Sequence, residues 1–436
     1  MKLLVKGGRV IDPKNSVDEI VDVLIIDSKI AAIGRDLSID GDEDVVDAEG
    51  KIVCPGFIDI HAHFRDPGYE HKEDIITGSK AAAAGGFTTV CCMSNTDPVI
   101  HDGIVARYVL RKSEQAGLIN VLPIGSITKN LEGEELSEMA ELAQAGCVAF
   151  SDDGKPVMRS DVMRHALEYA HMLNLPILSH CEDLNLSRDG LMHEGYYSTL
   201  YGLQGIPAEA EEIMVARDVE LAVLTGARLH VCHVSTTGSL HIIEEAKAAG
   251  ACVTCEVTPH HLTLTDEVVG DYDTNTKVDP PLRSEAHVKA LARALASGLI
   301  DCIATDHAPH NVESKDCEYA KASSGISGLE TAVAVIMDRL VHAGLLHITD
   351  MVRLFTVGPC RVLGLDSGTL TPESKADITI IDPDAIRRVD PATFYSKGKN
   401  TPFKDMELRG WPWMTISGGR IVAREGRLAE MPDKGD

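Results

Sequence analysis

The sequence predicts an α/β fold: a (β/α)8 TIM barrel carrying a small β-sandwich domain built from both termini. Three observations carry it. Between about residues 55 and 365, eight short apolar runs alternate with helix-like stretches. On either side of that span, period-2 stretches are separated by glycine pairs and Asp-rich turns. Finally, "KGGRVID" near the start echoes "SGGRIVARE" near the end, so both ends are expected to lend strands to one unit. The expected division is 1–54 and 366–436 for the β domain and 55–365 for the barrel.

In chain order, "LLVKGGRVID", "DEIVDVLIIDSKIAAIG" and "DVVDAEGKIV" suit a small antiparallel sheet. The barrel strands are then expected at "GFIDIHAHF", "FTTVCCM", "NVLPIGS", "CVAFSDD", "LPILSHCED", "RLHVCHVS", "ACVTCEVTPHH" and "IDCIATDHAPH". Helical crossovers fall at "DIITGSKAAAAGG", "SEMAELAQAGC", "DVMRHALEYAHML", "AEEIMVARDVELAVLTG" and "SLHIIEEAKAAG". The closing stretches "SGTLTPESKADITIID" and "TISGGRIVAREGRL" return to the strand-and-turn pattern.

Composition narrows the function classes. A net charge of -26 argues against nucleic acid or an anionic membrane as partner, because neutralising phosphates needs an excess of Lys and Arg. It leaves room for a small anionic substrate held by a few local cations. No run approaches the roughly 20 apolar residues of a membrane span. The opening "MKLLVKGGRV" has no signal-peptide pattern, so a cytoplasmic location is the expectation. Many of the 11 cysteines lie in apolar runs, where a free thiol behaves as a small hydrophobe. Cys252 and Cys255 form the one CxxC, in an expected strand where residues three apart face opposite sides.

Chemistry concentrates where the apolar runs stop. In "GFIDIHAHFRDPG", His61, His63 and Arg65 are two apart, so an extended chain would aim them into one space. Asp152 and Asp153 end the fourth run, His180 the fifth, His233 the sixth and Asp306 the eighth. At the C-terminal mouth of a barrel these would converge, and imidazole with carboxylate suits zinc or a similar divalent ion. One catalytic zinc rarely takes so many ligands, so the set predicts two metals sharing a carboxylate. A lone histidine at a strand end is ordinarily a hydrogen-bonded rim residue, but several at matching ends of separate strands are not. His71, His165, His171, His193, His241, His287, His342 and His347 fall in loops or helices and are expected to be solvated; His260 and His261 are expected to pack.

With these residues in place, the sequence resembles the dihydroorotases of the cyclic amidohydrolase superfamily along essentially its whole length. "PGFIDIHAHFRDPG", "GGFTTV", "FSDDG", "SHCED", "CHVST", "TPHHL", "PPLR", "ATDHAPH" and "SGLET" resemble that family's motifs in order. The resemblance implies two Zn2+ per chain: one on His61 and His63, the other on His180 and His233, with Asp153 bridging. Asp306 would ligate the first and serve as catalytic general base and acid. Substrate contacts would fall on His63, Arg65, Asn95, Asp279, His310 and the backbone near Ser324 and Gly325. Three positions depart from the family pattern: Asp279 where Asn is common, "MSNT" lacking a proline before Asn95, and "ASSGISG" around Ser324.

The implied reaction is the reversible cyclisation of N-carbamoyl-L-aspartate to L-dihydroorotate, a step of pyrimidine biosynthesis. The resemblance also allows self-assembly into a homo-oligomer and a complex with aspartate transcarbamoylase. Two alternatives stand beside it. Dihydropyrimidinases, hydantoinases and allantoinases bridge their metals with a carboxylated lysine on the fourth strand, whereas this strand ends "FSDDG", with Lys155 just beyond. A non-catalytic, dihydroorotase-like scaffold would have lost ligand positions that are filled here.

Overall fold

The computed structural model describes residues 2–38 and 45–430, so Met1, 39–44 and 431–436 of the expected β domain lie outside the described residues. Five strands precede residue 56: β1 (Lys2–Asp12), β2 (Val17–Ile26), β3 (Lys29–Gly34), β4 (Val45–Asp47) and β5 (Ile52–Pro55). β1 and β2 form an antiparallel pair with Leu4 opposite Leu24, while β5 runs parallel to β1.

The next strands are β6 (Phe57–Ala62), β7 (Phe87–Cys92), β8 (Asn120–Pro123) and β9 (Ile177–Ser179). A two-residue parallel pair, β10 (Met192–His193) and β11 (Gly205–Ile206), stands apart. Then come β12 (Leu229–Val231), β13 (Val253–Val257) and β14 (Cys302–Ile303). β6, β7 and β8 lie side by side, as do β9, β12, β13 and β14. Phe150 bridges Gly125 to Ile177, and His307 bridges back to Ala62, so the parallel segments close a ring. Ile58, Ile60, Met93, Ile124, Leu178 and Cys302 form one buried cluster drawn from strands around it.

The fourth expected strand, "CVAFSDD", is reduced to bridges at Phe150. The chain turns directly after it, where Asp152 accepts backbone N–H groups from Ile127 and Thr128 and Lys155 donates back to Asp152 O. All five helix-like stretches form helices, at Ile75–Ala84, Met139–Ala145, Ser160–Leu173, Glu209–Thr225 and Thr237–Ala248. The first starts where the Asp74 carboxylate accepts the Thr77 N–H at 2.8 Å, an N-cap that satisfies an orphan donor.

After the ring the chain returns to the first sheet through β15 (Ile378–Arg388), β16 (Glu407–Ser417), β17 (Arg420–Arg424) and β18 (Arg427–Leu428). The result is one nine-stranded sheet in the order β18-β17-β16-β15-β5-β1-β2-β3, with β4 beside β1. β5 pairs antiparallel with β15, Cys54 opposite Thr379. Inward residues from both chain ends, including Val5, Val23, Ile25, Val53, Ile378 and Ile416, share a core of their own. Between β15 and β16, residues 389–406 leave the sheet.

Candidate metal centre

The ring brings His61, His63, Asp153, His180, His233 and Asp306 together, all buried. Asp153 is central: Oδ1 lies 3.3 Å from His61 Nε2 and 3.5 Å from both His180 Nδ1 and His233 Nε2. Its other oxygen lies 3.3 Å from His63 Nε2. Asp306 stands on one side, with Oδ1 3.0 Å from His63 Nε2 and 3.5 Å from His61 Nε2. On the other side His180 Nδ1 and His233 Nε2 are 2.9 Å apart. Asp152 is excluded from the cluster by its bonds to Ile127 and Thr128, so geometry separates the two adjacent aspartates.

Simple alternation does not bring all of these groups in. Ile58 and Ile60 join the buried cluster within the ring, yet His61, the next residue, also reaches across to Glu256, and the β6–β7 register shifts between Asp59 and Ala62. A bulge of this kind re-aims side chains near active sites. β6 ends at Ala62, and Arg65 has φ 59°, so its guanidinium reaches the same space from a left-handed turn rather than an extended strand. His233 and Asp306 are also left-handed, with φ of 34° and 45°. Phe64 faces away, fully buried against Gly78 of the first helix.

The donor set fits cations. His61 Nε2 and Asp153 Oδ1 are buried and have no hydrogen-bond partner, which is costly unless something positive sits between the groups. Among the described residues five groupings have ligand atoms mutually within 4.8 Å, and two of them lie wholly within this cluster: His61, His63 and Asp306, and His61, Asp153 and His233. Burial alone would raise the pKa of Asp153 and Asp306, but the surrounding imidazoles outweigh it and hold both carboxyls well below the usual range. Burial likewise works against a charge on His61, yet Asp153, Glu256 and Asp306 raise its pKa well above normal.

Sequence reasoning missed two carboxylates that orient the ligands. Glu256, on β13, lies 2.6 Å from His61 Nδ1 and 3.2 Å from His230 Nε2, and accepts the His233 N–H at 3.3 Å. Burial is opposed chiefly by His61, which leaves the Glu256 pKa at about 2. Glu182 lies 3.3 Å from His180 Nε2 and leaves Nδ1 facing the cluster. The only available signal was their position, within or just after strand-like runs beside the expected ligands.

A cavity of about 310 Å³ opens beside the cluster, and Arg65, Asn95, Asp279, His310, Ser324 and Gly325 all line it. Arg65 Nε is buried without a partner. Asn95 is already engaged, with Oδ1 2.9 Å from His63 Nδ1 and Nδ2 donating to Asp153 O at 3.3 Å. His310 Nε2 lies 2.9 Å from Ser324 O, and burial, then Arg65, Lys315 and Lys72, push its pKa down to about 2, so the ring is neutral. Burial and then Glu182 push Asp279 up to about 6.

Of the histidines expected to be solvated, His193 is buried, 3.3 Å from Arg283 Nη1, because β10 and β11 fold back over the "PPLR" segment. His260 and His261 are both buried as expected, and His261 Nε2 lies 2.9 Å from Pro280 O. All 11 cysteines are free; Cys252 is exposed and Cys255 buried, as their spacing requires.

Comparison with known proteins shows the family to which the chain is similar. A family profile described as "Dihydro-orotase-like" matches residues 50–239, and one described as "Amidohydrolase family" matches 208–423. The dihydroorotase of Pelotomaculum thermopropionicum is 56% identical over 98% of this chain and 99% of its own length. That of Geobacter metallireducens is 50% identical over 97% and 99%. Among solved structures, the L-hydantoinase (dihydropyrimidinase) from Arthrobacter aurescens superimposes with a TM-score of 0.88 at 28% identity, covering 98% of this chain and 97% of that one. The dihydropyrimidinase from Brevibacillus agri gives 0.84 at 24% identity, covering 98% and 96%, a likeness of fold.

Proposed function

The chain belongs to the dihydroorotase family of the cyclic amidohydrolase superfamily, and from that premise we propose that it interconverts N-carbamoyl-L-aspartate and L-dihydroorotate. The observation that carries the reading is one carboxylate, Asp153, within 3.5 Å of four imidazoles at the edge of a cavity that also holds Arg65. We further read the closed ring as a (β/α)8 barrel of residues 55–365 and the nine-stranded sheet as a β-sandwich domain of residues 1–54 and 366–436.

His61, His63 and Asp306 would hold one zinc and His180 and His233 the other, with Asp153 shared. Bound there, the ions supply Lewis acidity and make water acidic enough to give hydroxide near neutral pH. The remaining work belongs to side chains. Asp306, ionised and turned into the site by its left-handed backbone, accepts the proton of the water that attacks the ring carbonyl and returns it to the departing ring nitrogen. In the cyclising direction it takes the ureido N–H proton as the new C–N bond forms and passes it to the carboxylate oxygen, which leaves as hydroxide when the C–O bond breaks. Arg65 offers a planar fork to the substrate's α-carboxylate, and the enclosed position strengthens that pairing.

The solved-structure likeness favours a hydantoinase as the second reading. Asp153 stands where such enzymes would need a bridging lysine, and Lys155 is exposed in the turn beyond. The deciding experiment measures metal per chain and assays dihydroorotate, hydantoin, dihydrouracil and allantoin side by side. Turnover of dihydroorotate with about two metals per chain is expected. Activity on the other three but not on dihydroorotate would overturn the reading. Asp306→Asn should abolish turnover in both directions with a smaller loss of metal, and a variant with wild-type rates would remove Asp306 from the mechanism.

A further inference from the structure

Resting on that reading, we propose that Asn400, in the excursion between β15 and β16, is a positioning residue that sets the carboxylate-binding wall of the pocket. The excursion is bonded to the segments that follow β14, and Asn400 makes several of these bonds. Its side chain is buried and every hydrogen-bonding site on it is used. Oδ1 accepts the backbone N–H of His310 at 2.9 Å and the Ser327 hydroxyl at 3.0 Å. Nδ2 donates to Ala308 O at 3.1 Å and to Gly325 O at 2.9 Å. The Asn400 carbonyl also accepts the Ser327 N–H at 2.8 Å.

His310 and Gly325 are two of the cavity-lining residues, and they belong to separate segments of the chain. One amide therefore clamps both, beside the direct ties of His310 Nε2 to Ser324 O and of the Ala308 N–H to Ile326 O, each 2.9 Å. A satisfied loop asparagine would need no particular partners, whereas this one joins two parts of a single ligand wall.

The approach is tight as well as specific. A Cβ on Gly398 would fall 2.4 Å from Pro309 Cβ, so only glycine lets the excursion press against the segment carrying His310. Upstream, the excursion is anchored where Glu330 accepts the Tyr395 and Ser396 N–H groups at 2.8 and 3.1 Å. Glu73 accepts the Ser396 hydroxyl and, at 3.4 Å, the Lys397 N–H. None of the Asn400 bonds reaches His61, His63, Asp153, His180, His233 or the Asp306 carboxylate. Asn400 should therefore govern how well the substrate is held rather than how the reacting bond is broken.

Asn400→Asp tests this, because it keeps the size but turns two N–H donors into acceptors facing Ala308 O and Gly325 O. KM for dihydroorotate and carbamoyl aspartate should rise roughly tenfold or more, as expected for unsatisfied buried hydrogen-bonding groups. The kcat and the metal content should stay near wild type. Binding of orotate, a non-hydrolysed analogue, measured by calorimetry, should weaken by the same factor. Ser327→Ala, which removes one Oδ1 partner and the bond to Gly398 O at 3.0 Å, should move KM the same way by a smaller factor and serves if the first variant does not fold. Unchanged KM and orotate affinity would overturn the proposal. So would a fall in kcat together with metal loss, which would make Asn400 a support of the metal cluster instead. If the unaltered protein fails to open dihydroorotate, the function reading fails, and the same KM and kcat comparison is then made on the cyclic amide it does open.

Discussion

Two neighbouring carboxylates show how much a single residue's surroundings decide. Asp152 accepts backbone N–H groups, and burial holds its pKa up at about 6; Asp153, one residue on, is held ionised by imidazoles. Glu256 acts at one remove, and Glu256→Gln should loosen His61 and lower metal affinity roughly 10–100-fold, measured by competition with a chelator. Unchanged affinity would leave Glu256 as a packing residue. Arg65→Ala should mainly raise KM for carbamoyl aspartate, and an unaltered KM would sink the carboxylate assignment. The proposed ligands were legible because each ends an apolar run, a pattern that repeated strands make hard to produce by chance. Glu256 and Asn400 were not, because a lone Glu inside a strand and a lone Asn in a loop carry no periodic signature; only the folded chain shows what they touch.

Whole elements were legible to different degrees. Five helices, from Ile75–Ala84 to Thr237–Ala248, declare themselves as helix-like stretches, whereas others, Gly103–Ala116 and Glu285–Ala296 among them, are not singled out. The fourth strand was overcalled, since an apolar run does not reveal that Asp152 will be drawn back to Ile127 and turn the chain. Strand alternation placed His61 and His63 in one space, but the register shift in β6 and the left-handed Arg65 are backbone features that residue types do not announce. The first helix is held at a fixed distance from β6 by a small residue: a Cβ at Gly78 would lie 2.6 Å from the Phe64 ring. Gly78→Val should therefore cost about 1–3 kcal/mol of stability, seen as a lower urea midpoint. An unchanged midpoint would mean the ring yields freely.

At the scale of the molecule, four imidazoles and two carboxylates face one another in a buried cluster, so metal bound there should be thermodynamically linked to the fold. Removing metal with a chelator should lower the melting temperature, and added zinc should restore it; a ligand present at 1,000 times its Kd contributes about 4 kcal/mol. A melting temperature indifferent to metal would argue that the cluster is held by packing alone. The union of the two chain ends in one sheet was legible from the echo of "GGR", because strands of similar sequence there share a sheet. The crossing of residues 389–406 to the pocket was not legible, since nothing in its composition points toward a partner so distant along the chain.

That pairing of distant ends bears on how the protein is made. β5 completes its hydrogen bonding only with β15, and the Cys54 thiol meets Thr379 O across 325 residues of chain. At roughly 5–20 residues per second of synthesis, about 15–65 s pass between the emergence of the two. Throughout that interval the first strands present an open edge to every other chain in the cell, the situation in which strands pair wrongly. Synthesis ends its hazard and finishes the pocket in the same stretch, because Asn400 emerges shortly after β15. A nascent chain short of that point would own every proposed metal-binding and substrate-binding group and still lack the residue proposed to set the substrate wall.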